Sequence, residues 1–442
     1  MNFCWRKPLG AALVVTILAS VLMAGCGTGS QARGANQENN GGKVTTIEYW
    51  HVNTENFGGP AIKELIQKFN EGHQNIRVVE KFQPGSYAGL MKNLQAAIAA
   101  GNPPAIAQIG YNFLDYASTN FPHQSLADIA AKDSGGQDFL NNFLPNILDL
   151  GRVNGKLEGM PYAISNPVLY YNADMFKAAG LDPQNPPRTW AEVRDAARKI
   201  KDKTSNYGLF VEDVANWAID AIVLSNGGQI LTKDGNHTRA AFDTPEAIGA
   251  YRLVTEMVLK DQTMLHATQQ EGQQAFLNGK VGMIVQTIGL QKYLASSAKF
   301  KVLTASFPTF EPKPRRLPAG GNALFIFAKA PDQVKDAWEF IKFLESPEAL
   351  TIWTEGTGYL PPRKGVTDDP RYLKPFMDQN PLMKPAVDQL PDMVAWPSFP
   401  GGNSLQIEQL RIDATNAILG GRQNPEEALP ETVAKINNLL GQ

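Results

Sequence analysis

The sequence predicts an α/β protein of two domains. Short apolar runs with strand character alternate with segments whose apolar residues recur at i, i+3, i+4 and i+7. At 442 residues the chain also exceeds what a single core usually fills. A third observation is the stretch 155–193, which reads as a buried strand crossing the middle of the chain, followed by surface helices.

Residues 44–50 form the first strand, with Ile47 and Tyr49 on one face. Pro60 suits the first turn of a helix whose Ile62, Leu65, Ile66 and Phe69 share a face. A second strand over 75–82 completes a βαβ unit. A helix over 87–100 presents Leu90, Leu94 and Ile98 and stops at Gly101. AIAQIG, residues 105–110, is then a short buried strand that the chain leaves through Tyr111 and Asn112. Such alternation implies a mostly parallel sheet, outside whose carboxyl ends ligands sit. Trp50, Tyr111 and Asn112 are therefore candidates by position.

In the crossing stretch, Pro161 and Pro167 hold their predecessors extended, and Val168, Leu169, Tyr170 and Tyr171 form a continuous apolar run suited to a strand buried on both faces. Asn172 to Asp174 can cap a short helix ended by Gly180, and Thr189 with Glu192 forms a capping box for the next. Residues 207–211 read as a strand feeding a helix that begins near Asn216. Residues 301–310 and 324–327 look extended, with Pro308, Pro312, Pro314 and Pro318 stiffening the connection between them. Val334, Ala337, Trp338, Ile341 and Leu344 mark an amphipathic helix over 332–344, and a late helix over 405–419 stops at Gly420 and Gly421.

Lys plus Arg number 41 against 43 Asp plus Glu, so nothing suggests a nucleic-acid footprint. Near the start, Arg6 and Lys7 precede an apolar run over 9–25 that is short for a membrane span and reads as a signal segment. Met23, Ala24, Gly25 and Cys26 resemble a lipobox, in which Cys26 would be lipidated, for example with palmitate, and would begin the mature chain. Loss of Arg6 and Lys7 with residues 1–25 would move the formal charge from −2 to −4. The only other cysteine, Cys4, would leave too, so no disulfide is expected. The polar, glycine-rich residues 26–43 read as a flexible tether.

Catalysis has no positive signal: Gly-x-Ser-x-Gly, His-Glu-x-x-His and a P-loop are missing, and the five histidines are scattered without metal spacing. No metal, cofactor or catalytic residue is expected.

Gly155-Lys156, then Met160-Pro161-Tyr162, then PVLYYN, AGLDP and Pro187-Arg188-Thr189-Trp190 resemble the segment where bacterial extracellular solute-binding proteins of ABC importers first cross between their lobes. Within that family the glycerol-3-phosphate, glycerophosphodiester and sugar binders are the nearest in pattern. The resemblance implies a two-lobed periplasmic-binding-protein fold, with hinged lobes built from discontinuous segments: 44–164 and 303–362 for lobe one, 165–302 and 363–442 for lobe two. It implies a monomer that takes a small polyol, saccharide or glycerophosphodiester to ABC permease subunits and touches the membrane only through its lipid. A lipid-anchored carbohydrate-active enzyme and a ligand-sensing partner of a membrane receptor are the alternatives.

The same resemblance nominates ligand contacts. Trp217 would lie against the ligand's carbon chain, Tyr87 and Tyr359 would give and accept hydrogen bonds, and Ser165 would touch the ligand from the crossing. Gly320 and Gly321 would let backbone N–H approach it, and Thr287 falls near a serine of those relatives. For each the plainer reading is packing or a turn. Two departures stand beside the matches. Tyr111 occupies the place of a glutamate, and residues 395–400 contain none of the arginine that grips phosphate in those relatives. A buried phosphate without such a partner is costly. The departures point to a neutral or less charged ligand, or to a choline-like cation held by Trp396 and Tyr111, while helix N-termini keep phosphate open. Trp396 otherwise fills a core beside Pro397.

Overall fold

A computed structural model describes residues 44–212, 214–234 and 237–441. The signal-like segment, Cys26 and the tether lie outside the described residues.

In chain order the strands that matter are Thr45–His51 (β1), Ile76–Phe82 (β2), Ile106–Gly110 (β3), Met160–Ser165 (β4), Pro167–Asn172 (β5), Tyr207–Val211 (β6), Met264–Leu265 (β7), Val281–Thr287 (β8), Val302–Ser306 (β9) and Gly320–Ile326 (β10). They form two five-stranded sheets, ordered β2-β1-β3-β10-β4 and β7-β6-β8-β5-β9. In each sheet a single strand, β10 or β5, runs antiparallel to its neighbours.

The two antiparallel strands explain how the chain passes between the sheets. β4 runs out at the carboxyl end of the first sheet, and after Asn166 alone β5 enters the second beside Thr287, the last residue of β8. β9 leaves the second sheet, and β10 re-enters the first at the same edge, where Gly320 pairs with Ser165. Since β9 pairs with β5 over Val302 to Ser306, the return crossing follows Ser306 rather than starting at 303. Gln389 ties the crossings together: its side-chain amide donates to Asn166 Oδ1 and to the Pro167 carbonyl, each at 3.2 Å, and its oxygen accepts from the Phe307 N–H at 2.5 Å.

β5 is buried at all six positions, as a continuous apolar run requires. Leu169 and Tyr171 pack into the core on one face of the second sheet, and Val168 and Tyr170 into the core on the other. The two tyrosines are tolerated there because their hydroxyls donate to the Thr287 and Pro183 carbonyls, at 2.9 and 2.8 Å. The expected caps form as well: Asn172 accepts from the N–H groups of Asp174 and Met175, and Thr189 with Glu192 closes a capping box on Trp190–Thr204.

One face of the first sheet is covered by the helices Gly59–Gly72 (α1), Pro331–Leu344 and Pro347–Thr357, which bring Phe69, Trp338 and Trp353 into one core. Phe69 is fully buried against Phe340 at 4.9 Å edge to face, and its truncation to alanine is expected to cost about 3 to 5 kcal/mol. The second sheet has its own core, to which Trp190, Ile222 and Phe307 contribute.

Candidate functional site: an aromatic cleft with an acidic wall

The carboxyl ends of both sheets face one cleft of about 590 Å³. Its walls come from residues immediately past those ends: Val52 after β1, Tyr87 after β2, Asn112 after β3, Glu212 after β6 and Leu290 after β8. Such placement is expected where parallel strands deliver N–H groups and loops to one edge.

Tyr87 opens the helix Ser86–Ala99 (α2), and its hydroxyl accepts from Asn322 Nδ2 at 3.0 Å. Burial raises its phenol to about 12, so it stays protonated and keeps a proton to donate. Tyr359 lies at the same wall, stacked on Trp353 at 5.3 Å and held on its other side by Phe57 at 5.6 Å. Burial pushes its hydroxyl well above the ordinary tyrosine range. Asn112 is buried with neither side-chain polar atom engaged by a protein partner.

Ser165 and Gly320 meet at the crossing, where a Cβ on Gly320 would lie 2.6 Å from both Ser165 Oγ and the Trp217 ring. Gly321 has φ +111°, and a Cβ there would lie 1.8 Å from the Ala163 carbonyl oxygen. Both positions therefore demand glycine. Trp217 opens the helix Trp217–Ser225 (α3), with its indole N–H donating to the Pro318 carbonyl at 3.0 Å and its ring turned to the cleft. Thr287 also lines the cleft, although its hydroxyl oxygen already accepts from the Gly289 N–H.

Trp396 stands between spaces. It lines the cleft and also an adjoining chamber of about 430 Å³. Its ring centroid is 6.3 Å from that of Trp217, and its indole N–H reaches Asp220 at 3.4 Å. Tyr111 lines only the adjoining chamber, and its buried hydroxyl has no protein partner. Tyr111 and Trp396, the pair expected to hold a choline-like cation, thus meet in the adjoining chamber rather than in the cleft. The structure gathers Tyr87, Asn112, Ser165, Trp217, Gly320, Gly321, Thr287, Tyr359 and Trp396 around one space and leaves Tyr111 next door.

Sequence reasoning missed the charged side of this site. Glu212 lines the cleft and accepts from Gln269 Nε2 at 3.2 Å. Glu408, on the late helix Ser404–Leu419 (α4), lines it too. Behind Glu408, Arg411 of the same helix pairs with Asp220 of α3 at 2.5 Å and with Glu408 at 3.3 Å, all three fully enclosed. Burial drives the Asp220 and Glu408 carboxyls up, to about 6 and about 7, against the pull of Arg411. A sequence signal existed: WAIDAIVLS is apolar but for Asp220 and the terminal Ser225, and an acid inside such a helix must have a buried partner.

A two-lobed α/β fold with its lining residues at facing sheet edges defines a binding protein of the periplasmic type, one that holds a small solute between its halves. The chain belongs to the bacterial extracellular solute-binding protein family, whose model matches residues 64–385. It is 29% identical over 416 residues to the sn-glycerol-3-phosphate-binding periplasmic protein UgpB of Escherichia coli, covering 90% of this chain and 93% of that one. The Shigella dysenteriae UgpB matches at 29% over 417 residues with the same coverage. Among solved structures, UgpB of Mycobacterium tuberculosis in complex with glycerophosphocholine superposes with a TM-score of 0.79 at 21% identity, covering 90% of this chain and 98% of that one. A Listeria monocytogenes ABC substrate-binding protein in complex with cycloalternan gives 0.78 at 23%, over 90% and 100%. The family is extracytoplasmic, and among the described residues no helix is long and apolar enough to cross a membrane.

Proposed function

We propose that this protein captures a small polyol, saccharide or glycerophosphodiester in the aromatic cleft and hands it to the permease of an ABC importer. The observation that carries this reading is the meeting, at the carboxyl ends of both sheets, of aromatic faces with tyrosine hydroxyls and the Asn112 amide, which has no protein partner. Aromatic faces suit the C–H surfaces of sugars and polyols, and Tyr87, Tyr359 and Asn112 offer two-way hydrogen bonding to their hydroxyls. Ligand touching both sheets would favour the form in which they are drawn together, since binding shifts the equilibrium by its differential affinity for the two forms. The lobes would pivot where Gln389 ties Asn166 and Phe307.

In this reading the solute leaves unaltered, the protein is a monomer, and Cys26 carries a lipid that tethers it through residues 26–43. Calorimetry against sugars and glycerophosphodiesters should give heat with at least one member, and chromatography of the same mixture should return that member unchanged. Silence across the panel would refute capture, and a converted product would refute simple delivery.

A further inference from the structure

The cleft's charges are all on one side of neutrality. Among the described residues, its lining includes Glu212 and Glu408 and no lysine, arginine or histidine. Arg411, the one cation close behind, is already committed to Asp220 and to the far oxygen of Glu408. With two carboxylates to one guanidinium, that buried group carries a formal excess of one negative charge. The other oxygen of Glu408 is buried without a protein hydrogen-bond partner. Glu408 is only 6% exposed, so water does little to relieve it. Buried carboxylates ordinarily have a cation or a set of donors against them.

The same cleft is lined by π faces: Trp217, Trp396, Tyr87, Tyr359, Phe57 and Phe113. Aromatic faces attract cations and add nothing for an anion. The uncapped N-terminus of α2 also points its first turn at the cleft. A helix end amounts to about half a positive charge, which the excess charge of the Glu408 group outweighs.

Resting on the reading of this cleft as the solute site, we infer that it selects a ligand bearing an amine or ammonium group beside its hydroxyls, and that it rejects a phosphate that carries no such group. The cation would face Glu408 and Glu212, and the hydroxyls would meet Tyr87, Asn112 and Tyr359.

Matched probes test this directly. Glucosamine, glucose and glucose 6-phosphate, together with choline, glycerol and glycerol 3-phosphate, are titrated into the protein by calorimetry at pH 8. In each trio the ammonium member should bind at least tenfold more tightly than the neutral one, with no heat from the phosphate at 10 mM. Glu408→Gln and Glu212→Gln should each erase most of that preference, and the second variant lies outside the buried ion cluster should the first fail to fold. Equal or tighter binding of a neutral or phosphorylated member would overturn the inference, as would silence from every ammonium probe. A phosphate that binds, or a neutral sugar that binds as tightly as its ammonium analogue, and that weakens on Trp217→Phe would sink only the charge preference. Binding that survives every cleft substitution would sink the site assignment itself.

Discussion

The two walls of the cleft are built on similar sheets yet offer different chemistry. From the first sheet come neutral groups, namely Tyr87, Asn112, Ser165 and Tyr359, arranged as donors and acceptors around strand ends. From the second side come Glu212, Glu408 and, behind them, Asp220 with Arg411. A neutral hydrogen-bonding wall can follow a hydroxyl-bearing solute with small energies per contact. A charged wall decides which solutes enter at all, since an unmatched buried charge costs several times a neutral hydrogen bond. If the proposed cleft is the solute site, the difference divides affinity and discrimination between the sheets, and each substitution below separates them.

Removing Arg411 should break the charged wall most severely. Arg411→Met leaves Asp220 and Glu408 enclosed without their cation, and the expected loss is about 3 to 5 kcal/mol of folding stability in urea. The loss should shrink at pH 5, where the acids can go neutral. An equal loss at both pH values would show that packing against Phe242 and Phe399, and not charge, is what Arg411 supplies.

The intact wall should announce itself in the pH dependence of the ligand-free protein. Glu408 is faced by Arg411 on its own helix, by Asp220 of α3 and, more distantly, by Tyr251. Its folded value of about 7 and that of Asp220, about 6, lie above the ordinary 4.5 and 3.8. As pH rises the unfolded chain ionises first. Stability from these groups is therefore full below about pH 4 and drains away up to pH 7, by roughly 3 kcal/mol for Glu408. Glu408→Gln should remove that part of the slope between pH 5 and 8. Superimposable slopes for wild type and variant would mean Glu408 is ionised throughout.

Most of the fold was legible in sequence for local reasons, whereas Tyr87, Ser165 and Tyr359 of the neutral wall were nominated only by the family resemblance. Strands and helices alternate with clear period, Thr189 and Glu192 cap as their spacing demands, and a run with no polar face is a strand buried at every position, while the double crossing was implied by the family resemblance. Of the candidates drawn from strand ends, Asn112 reached the cleft, Tyr111 only the adjoining chamber and Trp50 neither. The charged wall was not legible because its partners are far apart in sequence: Asp220 and Arg411 are separated by 191 residues. Arg411 and Glu408 alone look like an ordinary exposed i,i+3 pair. Tyr111 shows the converse limit, since a position just past a strand fixes the edge but not which of two adjoining chambers the ring enters.

Trp217→Phe tests the aromatic face shared by both walls. It keeps a ring but removes the N–H to Pro318 and part of the surface beside Trp396. Binding of whichever solute gives heat should weaken by about 1 to 3 kcal/mol. Unchanged affinity would make Trp217 a core residue that happens to border the cleft.

The smallest effect expected is also the one that tests whether the walls act separately. Tyr87→Phe removes a protonated hydroxyl that accepts from Asn322 and adjoins the Tyr359 hydroxyl at the cleft. One neutral hydrogen bond contributes about 0.5 to 1.5 kcal/mol, so affinity should fall by that much for charged and uncharged probes alike. Combined with Glu408→Gln, the two losses should add to within about 0.5 kcal/mol, because the substitutions act on different groups of the ligand. Strong coupling would show one polar network running through the solute, and the division of labour between the sheets would have to be given up.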